Sequence, residues 1–132
     1  MLQRKTIVST QLMNIFERSS QPLSVNQLIE KLKDKGLTPN KTTIYRIVEK
    51  LKKQDTVTEI KTTNGNSYYE LNKHTHHHHH FICSSCDTVY CLDQCHLDAF
   101  KINTKKLLPN QNFIIKSHEF NLHGICGQCS TN

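Results

Sequence analysis

The chain has 132 residues, of which 17 are Lys or Arg, 11 Asp or Glu, nine His and six Cys, with four Gly and no Trp. That length admits one ordinary domain or two very small ones, and a hydrophobic fraction of 36% is thin for a single well-filled core, so two modules fastened by metal, disulfide or dimerisation are expected. No run approaches the ~18 apolar residues of a membrane span, and Met1-Leu-Gln-Arg-Lys-Thr6 leads into polar residues rather than a signal peptide; the expectation is a cytoplasmic protein with no membrane partner, whose cysteines serve metal or redox chemistry more than disulfides.

Residues 1–72 carry 12 basic and 7 acidic side chains, a net of +5, and contain no Cys and no His. A basic segment can simply be soluble, so nucleic-acid binding needs a motif behind it. Ile7, Val8, Leu12, Ile15 and Phe16 fall at helical spacing and predict a first helix. Ser24, with Gln27 three residues on, is a capping box opening a second helix that buries Val25, Leu28, Ile29 and Leu32 and stops at Gly36. A third follows Pro39, capped by Asn40, with Ile44, Ile47, Val48 and Leu51 inward. The period then changes: Thr56–Ile60 and Ser67–Leu71 are β-rich runs on either side of Asn64-Gly65, a hairpin turn.

Helix, helix, helix, hairpin is the order of a winged helix-turn-helix, whose last helix enters the major groove. The third helix presents Lys41, Thr42, Thr43, Tyr45 and Arg46 near its start, where side chains and backbone N–H groups meet bases and phosphates. Arg46 suits a guanine or a phosphate, and Tyr45 a thymine methyl or a phosphate. The plain alternative is a solvated basic helix with Tyr45 half-packed.

Residues 73–132 hold all six Cys and all nine His. Cys83-Ser-Ser-Cys86 and Cys126-Gly-Gln-Cys129 are two Cys-x-x-Cys knuckles; each lets two sulfurs reach one ion from a tight turn, and together they complete a tetrahedral shell for a structural Zn(II). The run from His74 through His76–His80 leads straight into Phe81-Ile82-Cys83, so it is read as extended rather than as a tag. In a strand His78 and His80 face one way, His77 and His79 the other, and one strand can serve two metal sites. Glu70, at the wing end, is a candidate partner for His78 and His80. Asp98, in a helix expected from about Asp93, and His118, in a strand pattern over 112–122, are candidates for the other pair; singly, each is equally a surface carboxylate or an ordinary strand residue.

Together, Thr42-Thr43-Ile44-Tyr45-Arg46, Tyr68-Tyr69-Glu70-Leu71, the His run entering Cys83-x-x-Cys86, and His118 before Cys126-x-x-Cys129 make the chain resemble the ferric uptake regulator family of metal-sensing repressors, whose members sense iron, zinc, manganese or peroxide. The resemblance implies an α+β fold: a winged-helix DNA-binding domain over 1–72, a hinge at 73–76, and a small α/β metal-binding dimerisation domain over 77–132 with a four-Cys zinc site. It implies no enzyme, but a homodimer gripping an AT-rich pseudo-palindromic double-stranded DNA operator when loaded with Zn(II), Fe(II) or Mn(II). By matching positions, Cys83, Cys86, Cys126 and Cys129 hold the structural zinc; Glu70, His78 and His80 form the sensing site; His77, His79, Asp98 and His118 a second site; Tyr45 and Arg46 contact DNA.

The chain also departs from the family pattern. The usual extra N-terminal helix is missing or shortened, the second helix is entered by Gln21-Pro22-Leu23 where iron-type members often carry a histidine, and neither an early acidic wing residue nor a cysteine after the wing is present, with Thr58 and then Asn72-Lys73 in those stretches. The sensing site thus lacks an identified fourth ligand, a place that His74 in a longer linker is expected to take. Cys91 and Cys95 have no place in the pattern and are read as buried small residues, a redox pair, or ligands near Asp93 and His96. The rival functions are a metal buffer or delivery protein, for which the helix-hairpin half is superfluous, a zinc hydrolase, for which no further catalytic group is evident, and a peroxide-sensing variant of the same repressor.

Overall fold

The computed structural model describes residues 6–72, 79–92, 104–116 and 121–131. The three amphipathic runs form α1 (Ile7–Arg18), α2 (Val25–Asp34) and α3 (Lys41–Lys53). Each start is fixed by a side-chain cap. The Thr6 hydroxyl accepts from the Ser9 N–H and the Asn40 side chain from the Thr43 N–H, while at α2 the capping box is complete, with Ser24 Oγ accepting from Gln27 N–H and Gln27 Oε1 from Ser24 N–H. First-turn N–H groups have no partner inside the helix, so each cap contributes about 1 kcal/mol. The inward stripes meet in one core: Leu12, Ile15 and Phe16 of α1, Val25, Leu28 and Leu32 of α2, and Ile44 and Val48 of α3.

The two β-rich runs form the antiparallel hairpin β1 (Val57–Lys61) and β2 (Ser67–Leu71), turned at Asn64-Gly65, where Gly65 takes a φ of +85° that glycine alone adopts without cost. Leu23 adds a bridge to the hairpin, exchanging both backbone hydrogen bonds with Tyr69 at 2.8 Å. Side chains alternate along a strand, and here both faces of the hairpin are used. Val57, Tyr69 and Leu71 pack on the helical core. Ile60 and Tyr68, on the opposite face, pack against Ile82 and Val89 of the second sheet. Glu70, two residues from Tyr68, shares that second face and is thereby carried towards the His-rich strand.

The second sheet has the order β4-β3-β5, with β3 (His79–Cys83) central, β4 (Val89–Leu92) antiparallel to it and β5 (Asn121–Gly124) parallel. The Cys83–Cys86 knuckle is the turn between β3 and β4, and the short helix α4 (Gly127–Ser130) follows Cys126. Asp87 leaves the knuckle at a φ of +64°. Its buried carboxylate accepts from the Thr62 hydroxyl at 2.6 Å and from the Asn66 side-chain amide, so the knuckle turn is tied to the wing tip. These bonds hold the Asp87 carboxyl below its ordinary range against the opposing effect of burial.

One expected strand does not form as read. Residues 113–116 have no regular structure and Ile114 stands 84% exposed; 117–120 lie outside the described residues, and of the 112–122 pattern only Asn121 and Leu122 are described as strand, at the start of β5. A β-rich run becomes a strand only against an edge that takes its backbone hydrogen bonds, and no such edge faces 113–116 among the described residues. The helix expected from Asp93 and the hinge at 73–76 lie outside the described residues, Asp93 itself included. Among those residues no helix is long and apolar enough to cross a membrane.

Candidate metal centres and DNA-facing helix

The two knuckles converge as their spacing predicts. The sulfurs of Cys83, Cys86, Cys126 and Cys129 all lie within 4.8 Å of one another, and Cys86 Sγ is 3.8 Å from Cys126 Sγ. A tetrahedron with zinc–sulfur bonds of ~2.3 Å has edges of about 3.8 Å, so the donor set fits that ion. Two of the sulfurs, Cys83 and Cys126, are drawn towards the thiolate, while Cys129, against a bond from Ser85, is pushed up to about 11 by its sulfur neighbours Cys126 and Cys86. The N–H groups of Cys86 and Cys126 each point at Cys83 Sγ from 3.4 Å and hold that thiol down at about 6. Cys126 is likewise lowered, first by the Cys129 N–H and then by the Tyr90 hydroxyl, whose own ionisation is pushed up to about 12 chiefly by that bond.

A second cluster sits where the wing meets β3. Glu70 Oε1 is 3.0 Å from His80 Nε2 and Glu70 Oε2 is 3.8 Å from Cys91 Sγ, the donor atoms of all three residues lying within 4.8 Å of one another. Glu70 comes from β2, His80 from β3 and Cys91 from β4. The Cys91 N–H also donates to the Gln21 side chain at 3.3 Å, which ties the chain ahead of α2 to the same corner. Imidazole and carboxylate here fit any of the borderline divalent ions; a thiol narrows the choice.

Glu70 and His80 were expected together, and they are. Cys91 was not expected among them. Its signal was nevertheless present: a tight knuckle at Cys83–Cys86 pairs His80 with Cys91 in an antiparallel hairpin, and directly opposed side chains lie on one face with Cβ atoms about 5 Å apart. His79, on the other face of β3, is buried. His74, His77, His78, Asp98 and His118 lie outside the described residues, as does Cys95.

On α3, Lys41, Thr42, Tyr45 and Arg46 are exposed and Thr43 is half-buried, while Ile44 and Val48 carry the helix's inward face. Lys41 Nζ stands 5.9 Å from the Tyr45 ring centre, a cation–π arrangement between two exposed side chains. At the far end Lys52 bonds Glu59 of β1 at 2.8 Å, and the Tyr69 hydroxyl donates to the other Glu59 oxygen at 3.2 Å, which fixes α3 against the wing.

Three helices and a wing, packed on a sheet with a tetrahedral sulfur cluster, define a winged-helix protein with built metal centres. The chain belongs to the ferric uptake regulator family, a family of metal-responsive transcription regulators whose model matches residues 3–129. It is 30% identical over 118 residues to the ferric uptake regulation protein of Bacillus subtilis, covering 88% of this chain and 77% of that one. It is 26% identical over 127 residues to the protein of the same name from Bordetella parapertussis, covering 96% and 88%. Among solved structures, the Helicobacter pylori ferric uptake regulator Fur, described as having three functional metal-binding sites, matches with a TM-score of 0.78 at 19% identity, over 96% of this chain and 82% of that one.

Proposed function

We propose that the protein is a metal-dependent DNA-binding transcription regulator: a cytoplasmic homodimer that represses metal-uptake genes by gripping AT-rich pseudo-palindromic operators when loaded with Zn(II), Fe(II) or Mn(II). The observation that carries this reading is the 3.0 Å approach of Glu70, on the wing, to His80, on the metal-binding sheet. A cation held there supplies positive charge between a carboxylate and an imidazole. Glu70 then anchors the end of β2, and through the hairpin core the angle of α3 is held relative to the sheet. The four cysteines hold a separate structural Zn(II). His78, and His74 in the linker, complete the sensing site, while His77, His79, Asp98 and His118 form the second site.

Lys41, Thr42, Thr43, Tyr45 and Arg46 meet the operator, Arg46 reading a base edge or clamping a phosphate. The +5 of residues 1–72 is doubled in a dimer and draws both recognition helices to the DNA. Dimerisation is supported by the surface: of the eight large apolar side chains exposed among the described residues, six lie between Leu107 and Ile125. Regulation follows from unequal affinity, since an ion binding the docked and undocked arrangements equally well shifts nothing.

The test is a fluorescence-anisotropy or gel-shift titration of apo and metal-loaded protein on an AT-rich palindrome, run separately with Zn(II), Mn(II) and anaerobic Fe(II). Metal-dependent binding that is lost in Glu70→Ala and weakened in Arg46→Ala supports the reading. Binding that ignores metal, or no binding under any loading, overturns it.

A further inference from the structure

We propose that Cys91 is a thiolate ligand of the interdomain metal site, and that it makes this site selective for thiophilic borderline ions of the Zn(II) class over Mn(II). The inference rests on the reading of Glu70 and His80 as a metal site and goes beyond it by naming a third donor, the Cys91 sulfur, and the class of ion that donor selects.

The placement of Cys91 follows from the sheet. His80 and Cys91 are opposed residues of the β3–β4 ladder, so their side chains leave the same face side by side. The wing hairpin covers that face, and its own alternation brings Glu70 there together with Ile60 and Tyr68. Three donors of different kinds thus converge from three strands within 4.8 Å: nitrogen, oxygen and sulfur. His80 is buried, whereas Glu70 and Cys91 remain partly open to solvent, which leaves an ion a route in. The bond from the Cys91 N–H to Gln21 fixes the backbone that aims the sulfur. Sulfur in place of a hard oxygen donor changes the selection. Thiolate favours Zn(II) and Co(II), while Mn(II) prefers carboxylate, carbonyl and water. A mixed nitrogen, oxygen and sulfur donor set would suit Zn(II), whereas Mn(II) favours six-coordination by oxygen donors.

The experiment uses the full-length dimer with its four-Cys zinc in place. Zn(II), Co(II) and Mn(II) are titrated into wild type, Cys91→Ser, Cys91→Glu and His80→Ala, with three readouts: affinity by competition with a chelating dye, the sulfur-to-cobalt charge-transfer band that added Co(II) produces while the four-Cys site keeps its zinc, and the rate at which Cys91 is alkylated, mapped by mass spectrometry. Removing even an outer partner of a metal ligand costs about 10–100-fold in affinity, so Cys91→Ser should weaken Zn(II) by at least about tenfold. It should also abolish the added charge-transfer band, and Zn(II) should protect Cys91 from alkylation in wild type. Cys91→Glu should narrow the Zn(II)-over-Mn(II) preference by at least about tenfold, on the same scale. Equal alkylation with and without Zn(II), together with Zn(II) affinity in Cys91→Ser within about twofold of wild type, overturns the proposal; loss of the site in His80→Ala would then leave the metal-sensor reading standing. Should Cys91 be protected and the band present while DNA binding ignores metal, the ligand assignment holds and the regulatory reading falls.

Discussion

Replacing Asp87 with glycine should release the wing tip from the knuckle turn. The Asp87 carboxylate accepts two side-chain hydrogen bonds from the wing, from Thr62 and Asn66. Hydrogen bonds to a charged group contribute about 1.5–3 kcal/mol each, so about 3–6 kcal/mol is at stake. Glycine gives part of this back, because Asp87 sits at a φ of +64°, where an L-residue with a Cβ loses about 1–2 kcal/mol. The net loss is then about 1–5 kcal/mol. Hydrogen exchange reads it directly, since the Thr62 N–H donates to Asn66 O at 2.8 Å and the Asn66 N–H to Thr62 Oγ1 at 3.1 Å, and both bonds depend on the tip staying closed. Exchange at these two amides should accelerate roughly tenfold for every 1.4 kcal/mol lost. Asp87→Asn, which keeps an acceptor oxygen and tolerates the left-handed backbone, should fall between. If Asp87→Gly exchanges at the wild-type rate while its zinc content is unchanged, the tie contributes nothing and the reasoning fails.

Cys126→Ser should cost the sheet its fold rather than trim its stability, because four-sulfur sites supply about 10 kcal/mol or more of folding free energy; circular dichroism with zinc analysis should show loss of bound zinc and of β-signal, with the helical core retained. Ile44→Ala, at a fully buried position of α3, should cost about 2–5 kcal/mol by urea denaturation and lower DNA affinity only through the folded fraction. Glu59 has its pKa lowered by Lys52 first, then Ser67, against the opposing effect of burial. Its folded value lies below its unfolded one, so the stability it contributes is complete above about pH 4.5 and is lost as pH falls through the lowered value. The stability difference between wild type and Glu59→Gln should therefore be level at neutral pH and shrink below pH 4.5; a difference that grows on acidification would contradict this sign.

The helical half was legible because its signals are local. Ser24 with Gln27, Asn40 ahead of α3, Asn64-Gly65 and the 3.6-residue spacing of the apolar stripes each act within a few residues of themselves. The Cys-x-x-Cys pairs were legible for a related reason: sulfur spacing is set within one turn, and only the meeting of the two turns is left to the fold. What escaped depends on contacts between distant segments. Cys91 joins Glu70 only because the hairpin's second face is buried against β3 and β4, and a strand's sequence does not say which of its two faces will be covered. The Asp87 tie is invisible for the same reason, as Thr62 and Asn66 are two dozen residues away in the chain. Residues 113–116 of the 112–122 pattern form no strand, because β-propensity measures fitness for a half-buried pleated surface, not the presence of a neighbour to pair with.

The position of the sulfur cluster at the very end of β3 has a consequence for the fidelity of sensing. His79 and His80 are adjacent, buried, and point to opposite faces. A strand that slipped by one residue would trade one imidazole for the other, since the side-chain period is two. A polyhistidine tract offers little in its own sequence to resist such a slip. Cys83, three residues beyond His80, is pinned among three other sulfurs and closes the turn into β4. The zinc cluster thus works as a ruler: it decides which histidine of a near-uniform run is presented to Glu70 and Cys91.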